Sequence, residues 1–427
     1  MKTEFLFKIR KFFNTATLRQ SAIVFNGSVI NGVLGAFFYI SLARFLGPFD
    51  FGFFVVTVSV LTLIADIADF GTNTGLVRFV SAYLPTDREK AMRFLKMSLE
   101  IKFIVWMIVL FIGLLLSPII AKEIFNKEDL TNPLRLSMIG VGGAMLFSFA
   151  TSSFQAFQKF FTWSAVNIFS NFLRLCLIFL LFSWQQLSLA TSLITYIALP
   201  FLGFFLALLL LPTRSFLIAS GEVKEVKQLF AYNRWVALST IFTAVSSRLD
   251  TFLSARLLSG TELGIYGAAN QLVAIVPQLV GALGVVAAPK FASFTELQQM
   301  LTYFKKLQIM VIILAAVGLL VVPISYFIIP LFFGEQYSEA IVPFIILFMA
   351  MLIFLLAVPV HASIYYYFSK PQFFVALSVI NLLVIGVGGF FLISYYGIIG
   401  AALTVFIGMI INLLISLKWF LSAVKDR

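Results

Sequence analysis

Between residues 20 and 420 the chain is one apolar run after another, joined by short polar connections. Each run reaches the roughly 20 residues that a helix needs to cross a hydrocarbon core. A segment surrounded by lipid finds no water for its backbone, so it must close its own hydrogen bonds as a helix. Composition points the same way. Hydrophobic residues fill 61% of 427 positions and charged residues only 11%, with a mean hydropathy of +1.04. A soluble domain carries about 25% charged residues; this chain has too few to coat a surface facing water.

The runs read as about twelve spans. The first six lie at 20–43, 52–83, 95–120, 133–157, 161–182 and 189–211, the second six at 232–255, 264–289, 306–331, 340–368, 371–394 and 399–420. The expected fold class is an all-α, polytopic membrane protein. The expected domains are an N-terminal lobe over 20–211, a linker over 212–231 and a C-terminal lobe over 232–427. Residues 1–19 precede them: Phe5, Leu6, Ile9, Phe12 and Phe13 share one helical face opposite Glu4, Lys8 and Lys11, the pattern of an interfacial amphipathic helix held to anionic headgroups. Met1–Gln20 runs on into a span and does not read as a cleavable signal. Lysine and arginine favour one set of connections by about four to one, which places both termini in the cytoplasm.

The net charge is +12. Its cations are scattered through short loops, so they report topology and contact with membrane lipids, and a nucleic-acid partner is excluded. The one cysteine, Cys176, and one histidine, His361, leave no metal cluster and no histidine-dependent triad. No catalytic set, metal site or cofactor is expected. His361, followed by Tyr365, Tyr366 and Tyr367, reads as a hydrogen-bonded packing residue beside an interfacial aromatic belt.

An internal repeat is visible. Ala43-Arg44-Phe45-Leu46 matches Ala255-Arg256-Leu257-Leu258; Asp50 and Gly52 follow the first arginine at the spacing at which Glu262 and Gly264 follow the second. Arg78-Phe79-Val80-Ser81 pairs with Lys290-Phe291-Ala292-Ser293, and Lys159 with Lys370. Because each half holds an even number of spans, the two six-helix lobes are expected to be related by a pseudo-two-fold axis along the membrane normal. Transporters commonly place substrate between such repeats.

The stretch from Ala43 to Leu84, with Arg44, Leu46, Gly47, Pro48, Asp50, Gly52, Asp69, Gly71 and Arg78, resembles the N-terminal signature of the polysaccharide-biosynthesis (Wzx-type) oligosaccharide flippases of the multidrug/oligosaccharidyl-lipid/polysaccharide exporter (MOP) superfamily. Asp250, Gly264, Tyr266 and Ala269 resemble elements of the family's seventh and eighth spans. The resemblance implies a flippase that moves undecaprenyl-diphosphate-linked oligosaccharides (repeat units of O-antigen, capsule or exopolysaccharide) from the cytoplasmic to the outer leaflet by alternating access. It also implies a bacterial or archaeal cytoplasmic membrane, and a place beside other polysaccharide assembly proteins.

Ionisable residues inside a membrane are costly and default to functional candidates. Arg174 lies near mid-depth, on one face with Asn167 and Asn171 at i, i+4, i+7 spacing. Arg248 and Asp250 sit deep in the seventh span and, at i, i+2, cannot pair with each other on a helix. These five are the candidate substrate-cavity residues. Asp66 and Asp69 share a face of the second span, either as a site of H⁺ or Na⁺ coupling or as structural partners of Arg78 or Arg174. Arg44 and Arg256 are candidate gate or loop anchors at the outer face, and Arg78 and Lys290 at the inner. Two rival readings remain: an ion-coupled drug/cation antiporter of the same superfamily, with a dominant carboxylate site, and a membrane glycan polymerase or ligase, which would need a large outer loop.

Overall fold

The structure is a computed structural model describing residues 16–211 and 240–426, together with 229, 233 and 237–238. The amphipathic segment expected over 1–19 lies mostly, and the linker over 212–231 almost wholly, outside the described residues. What is described is all-helical: α1 (Ala16–Ala68), α2 (Thr72–Tyr83), α3 (Arg88–Ile119), α4 (Thr131–Ala156), α5 (Phe160–Ser183), α6 (Leu189–Leu210), α7 (Leu249–Leu257), α8 (Gly260–Val273), α9 (Ile275–Ser293), α10 (Leu297–Gly318), α11 (Val321–Phe333), α12 (Ile341–Ala362), α13 (Gln372–Leu383) and α14 (Gly389–Lys425). Nine continuous helical stretches among the described residues are long and apolar enough to cross a membrane. The chain is a multi-pass membrane protein.

Two of these stretches are broken by glycines that only their positive φ allows. Gly47 (φ 79°) interrupts α1, and Pro48 follows it; there its fixed φ and missing N–H suit the first turn of the next segment. Gly397 (φ 57°) interrupts α14 in the same way. The repeat-related break before α8 uses different chemistry: Ser259 accepts from Glu262 N while the Glu262 side chain reaches back to Ser259 N, a reciprocal cap.

The compact units are not contiguous halves of the sequence. The first takes in the chain up to Phe38, then Val60–Ser117 and Asn132–Thr240; the second comprises Tyr39–Ser59, Pro118–Thr131 and Ile241–Arg427. In the first unit α4 meets its neighbours through glycines. A Cβ at Gly142 would overlap the Trp106 indole of α3, and one at Gly140 would overlap Leu61 of α1 and press on Ile197 of α6. Small residues of this kind let helices approach closely where lipid supplies no hydrophobic drive. A core of Leu76, Phe79, Phe94, Leu95, Phe149 and Phe204 closes this unit, with Phe79 and Phe94 stacked at 4.8 Å. The second unit is closed by Phe291, Met300, Leu307, Val360, Phe368 and Phe420, and Phe304 stacks on Phe420 at 4.7 Å. Large apolar side chains point outward from both, among them Phe111, Leu209, Phe327 and Leu331. Exposed on this scale they fit a lipid surface.

Candidate functional site

In the first unit, α1, α4, α5 and α6 enclose a cavity of about 230 Å³ lined by Thr62, Ser148, Thr151, Asn167, Arg174 and Tyr196, with Leu61, Gly140, Ala144, Phe147, Ile197 and Pro200 as its apolar wall. Arg174 is held on several sides. Its guanidinium carbon lies 4.2 Å from the centre of the Tyr196 ring and 5.6 Å from that of Phe38, close enough for cation–π attraction. Its Nη1 donates to Asn171 Oδ1 at 3.1 Å, and the Asn171 amide donates in turn to Asn31 Oδ1. The Arg174 Nε is buried with no hydrogen-bond partner among the described residues. Asn167, two turns away, lines the same cavity and donates to Trp163 O at 2.8 Å. Three of the five candidate cavity residues therefore come together, with Arg174 and Asn167 on the wall and Asn171 bracing the arginine.

A second cavity of the same unit, about 380 Å³, is lined by Asn73, Thr74, Val77, Arg78, Ser152 and Gln155. Arg78 thus lines a cavity in this unit. The two cavities share a polar stripe on α4, where Ser148, Thr151, Ser152 and Gln155 recur at i, i+3, i+4, i+7. Ser148 links them: its Oγ accepts from Asn73 Nδ2 at 3.3 Å and from Lys102 Nζ at 3.4 Å. Lys102 has no exposed side-chain surface, and its ammonium is paired with Asp69. The charge of Asp69 is thus answered by Lys102, where the sequence suggested Arg78 or Arg174. Asp66 lies half-buried one turn before it. Lys102 and the α4 stripe were missed in the sequence, although a lysine inside the span at 95–120 was the signal that could have found the first.

Arg248 and Asp250 belong to the second unit. Arg248 precedes the first turn of α7 and donates through Nη1 to Ala244 O at 3.1 Å. Asp250 is buried and accepts from Tyr266 Oη at 2.6 Å, bridging α7 to α8. Replacing Tyr266 by Phe removes that carboxylate's side-chain donor inside the bundle. We expect a loss of about 1–3 kcal/mol, read as a lower thermal midpoint in detergent, and a smaller further loss when Asp250→Asn is added. His361 bonds Ser416 Oγ at 3.2 Å and meets the Phe374 ring edge-on, as a packing residue. Lys290 is exposed in the last turn of α9.

The same unit holds a paired arrangement around Arg44 and Arg256. Arg44 Nη1 donates to Leu331 O at 2.7 Å and Phe332 O at 3.4 Å, at the C-terminus of α11. Arg256 Nη1 donates to Glu123 O at 2.6 Å and Ile124 O at 2.7 Å, where the turn following α3 ends. Both guanidiniums thus satisfy carbonyls that a helix end leaves open, at its negative pole. The residues before them are held reciprocally: Tyr337 Oη donates to Ala43 O at 2.8 Å and Lys127 Nζ to Ala255 O at 2.7 Å. Burial pulls the Lys127 ammonium below the usual lysine range, and nearby Glu262 acts against that shift. In the same unit the repeat partners Gly52 and Gly264 touch, since a Cβ on Gly52 would overlap Gly260 O and Gly264 N, and one on Gly264 would overlap Pro48 O. Repeat-related residues therefore make repeat-related contacts, each arginine capping a helix from the opposite half of the sequence.

Helices broken at glycines and joined in two bundle-like units define a fold class already seen in transporters. A multidrug-resistance MATE family transporter of the MOP superfamily, in an inward-facing conformation, superposes with a TM-score of 0.74 at 11% identity, covering 93% of this chain and 94% of its own. The lipid II flippase MurJ in an inward closed conformation gives 0.74 at 14% identity, over 94% and 87%. A MOP superfamily transporter from Pyrococcus furiosus, described as having a binding pocket of reversed polarity, gives 0.59 at 13% identity, over 96% and 95%. At such identities the likeness is one of fold. The sequence itself matches the polysaccharide biosynthesis protein family over residues 17–295, and the chain belongs to that family. No curated protein sequence matches it at a significant level.

Proposed function

We propose that this protein is a flippase that carries the diphosphate-linked oligosaccharide headgroup of an undecaprenyl lipid from the cytoplasmic to the outer leaflet by alternating access, its tail remaining in lipid. One observation carries the reading: a half-buried arginine lines a cavity beside a tyrosine ring, with its Nε unpartnered among the described residues. A guanidinium suits a diphosphate because its planar fork donates several hydrogen bonds at once, and a flat ring beside it suits the face of a sugar. At about 230 Å³ the cavity holds a portion of such a headgroup, so the rest of the glycan must lie outside it.

The antiporter reading is disfavoured by the same unit. A carrier of organic cations needs an available carboxylate, and Asp69, whose neighbours Asn73 and Ser148 line these cavities, is already neutralised by Lys102. The test is reconstitution. Purified protein in liposomes should speed the appearance of a labelled undecaprenyl-diphosphate oligosaccharide headgroup to an external hydrolase, well above protein-free vesicles. A rate equal to that of empty vesicles, with uptake of a cationic dye instead, would favour the antiporter.

A further inference from the structure

Lys102 is where a free cation would be. Its ammonium is paired with Asp69 Oδ1 and lies 3.4 Å from Ser148 Oγ. Thr72 Oγ1 donates to the same carboxylate oxygen at 2.9 Å, and Asn73 N approaches the other at 3.3 Å. Asn73 Oδ1, in the same cluster, is buried with no hydrogen-bond partner among the described residues. The Asp69 carboxylate and the Ser148 hydroxyl meet the ammonium directly and the Thr72 hydroxyl meets the same carboxylate oxygen, oxygen donors of the kind that hard cations take. The cluster also has ways in, because Ser148 lines one cavity of the unit and Asn73 the other.

We propose that Lys102 is a tethered cation: its ammonium occupies a cation site built on Asp69 and Ser148, with Thr72 against the same carboxylate oxygen, and it closes that site to Na⁺. The pair also has a structural duty that explains why the charge is retained. Asp69 caps the first turn of α2, just after the break made by Phe70 (φ 47°) and Gly71 (φ 72°). An anionic oxygen there accepts from the open N–H of Asn73 and favours the positive end of the helix. A buried carboxylate needs a counter-charge, and a lysine supplies one that does not depend on the ions outside. Lys102 is thus a specificity-determining residue: with it in place, no metal-ion gradient can act through Asp69. The consequence for transport rests on the flippase reading, but the site does not.

Removing the ammonium should expose the site. The full-length chain, purified in detergent, is compared in NaCl and in choline chloride at equal ionic strength. Lys102→Ala should lower the thermal midpoint in choline, and about 100 mM NaCl should restore at least ~3 °C more than it adds to the unmodified chain. That excess should vanish in Lys102→Ala/Asp69→Asn, which has no charge to neutralise, and in Lys102→Arg, which keeps one. Recovery of folded Lys102→Ala only when Na⁺ is present throughout purification would support the same conclusion. An equal response to Na⁺ in Lys102→Ala and the unmodified chain, or an excess that survives Asp69→Asn, overturns it. So does failure to recover Lys102→Ala in either salt when the double variant is recovered in both, because Na⁺ then cannot stand in for the ammonium. Since the readout is stability and not transport, loss of the flippase reading would leave this result intact.

Discussion

Arg174→Ala should abolish export of the glycan while the amount of protein in the membrane stays near normal. The guanidinium is the cation that lines the first cavity, and its removal deletes the group proposed to hold the diphosphate. Losing a buried partner of a charged group typically costs 2–5 kcal/mol, so transport should fall by roughly 100-fold or more. Arg174→Lys should keep part of the activity, since an ammonium retains the charge but not the planar fork that meets Asn171 and lies over Tyr196. Folding should suffer little, because Arg174 is paired with an amide and two rings rather than with a carboxylate that would be stranded. The check is quantitative blotting of the variant beside surface glycan measured in the same cells. Export at the unmodified level in the alanine variant would remove Arg174 from the substrate path.

The second large effect is expected at the glycine crossing. Gly264→Ala places a methyl group where the Pro48 carbonyl oxygen sits, and Gly52→Ala places one on Gly260 O. These neighbours are backbone, so no side chain can swing aside, and the segments around 48–52 and 260–264 must separate. Overpacking of this kind costs 1–3 kcal/mol even where side chains can adjust. We propose that this crossing and the two arginines form a gate on the outer side. Arg44→Ala and Arg256→Ala should then open it to similar extents, because each removes the cap from one helix end in repeat-related places. The double variant and Gly264→Ala should be the most open. Labelling of a cysteine introduced at the buried Phe53, which packs against Gly260, by a membrane-impermeant maleimide from outside, reads the opening directly after Cys176 is replaced by serine. Unchanged labelling across all four variants would mean that these contacts only brace the loops.

How much of this was legible beforehand depends on which residues are considered. Arg44, Arg256, Gly52 and Gly264 stood out as a repeat, because a duplicated segment keeps its spacing whatever its surroundings. That these residues meet each other, and that each arginine reaches a helix from the other half, is absent from the spacing. It follows from the segments at 39–59 and 118–131 packing with 241–427 in one unit, a long-range choice that divides the chain differently from a cut at its central linker. Asn167, Asn171 and Arg174 share a helical face in the sequence and do share a site, since residues at i, i+4 and i+7 are aligned along two turns by the helix itself. Asp69 shows the opposite case. Its helix position was readable, but its partner was not, because Lys102 is on a different helix and spacing along one helix says nothing of which residue of another it meets.

The sequence by itself determined that the chain crosses a membrane many times as helices, that its two halves repeat, and that it belongs with the polysaccharide biosynthesis proteins. Those conclusions rest on local quantities: lipid leaves the backbone no alternative to helix, and twenty apolar residues in a row announce themselves. The tertiary structure alone decided which face of each helix turns inward, and so which charges meet. In water the polar side of a helix betrays its orientation. In lipid the outside is as apolar as the inside, and the rotation of each span is set by glycines, hydrogen bonds and close packing with neighbours distant in the chain. Lys102 on Asp69, Tyr196 under Arg174 and Gly52 against Gly264 are all products of that packing.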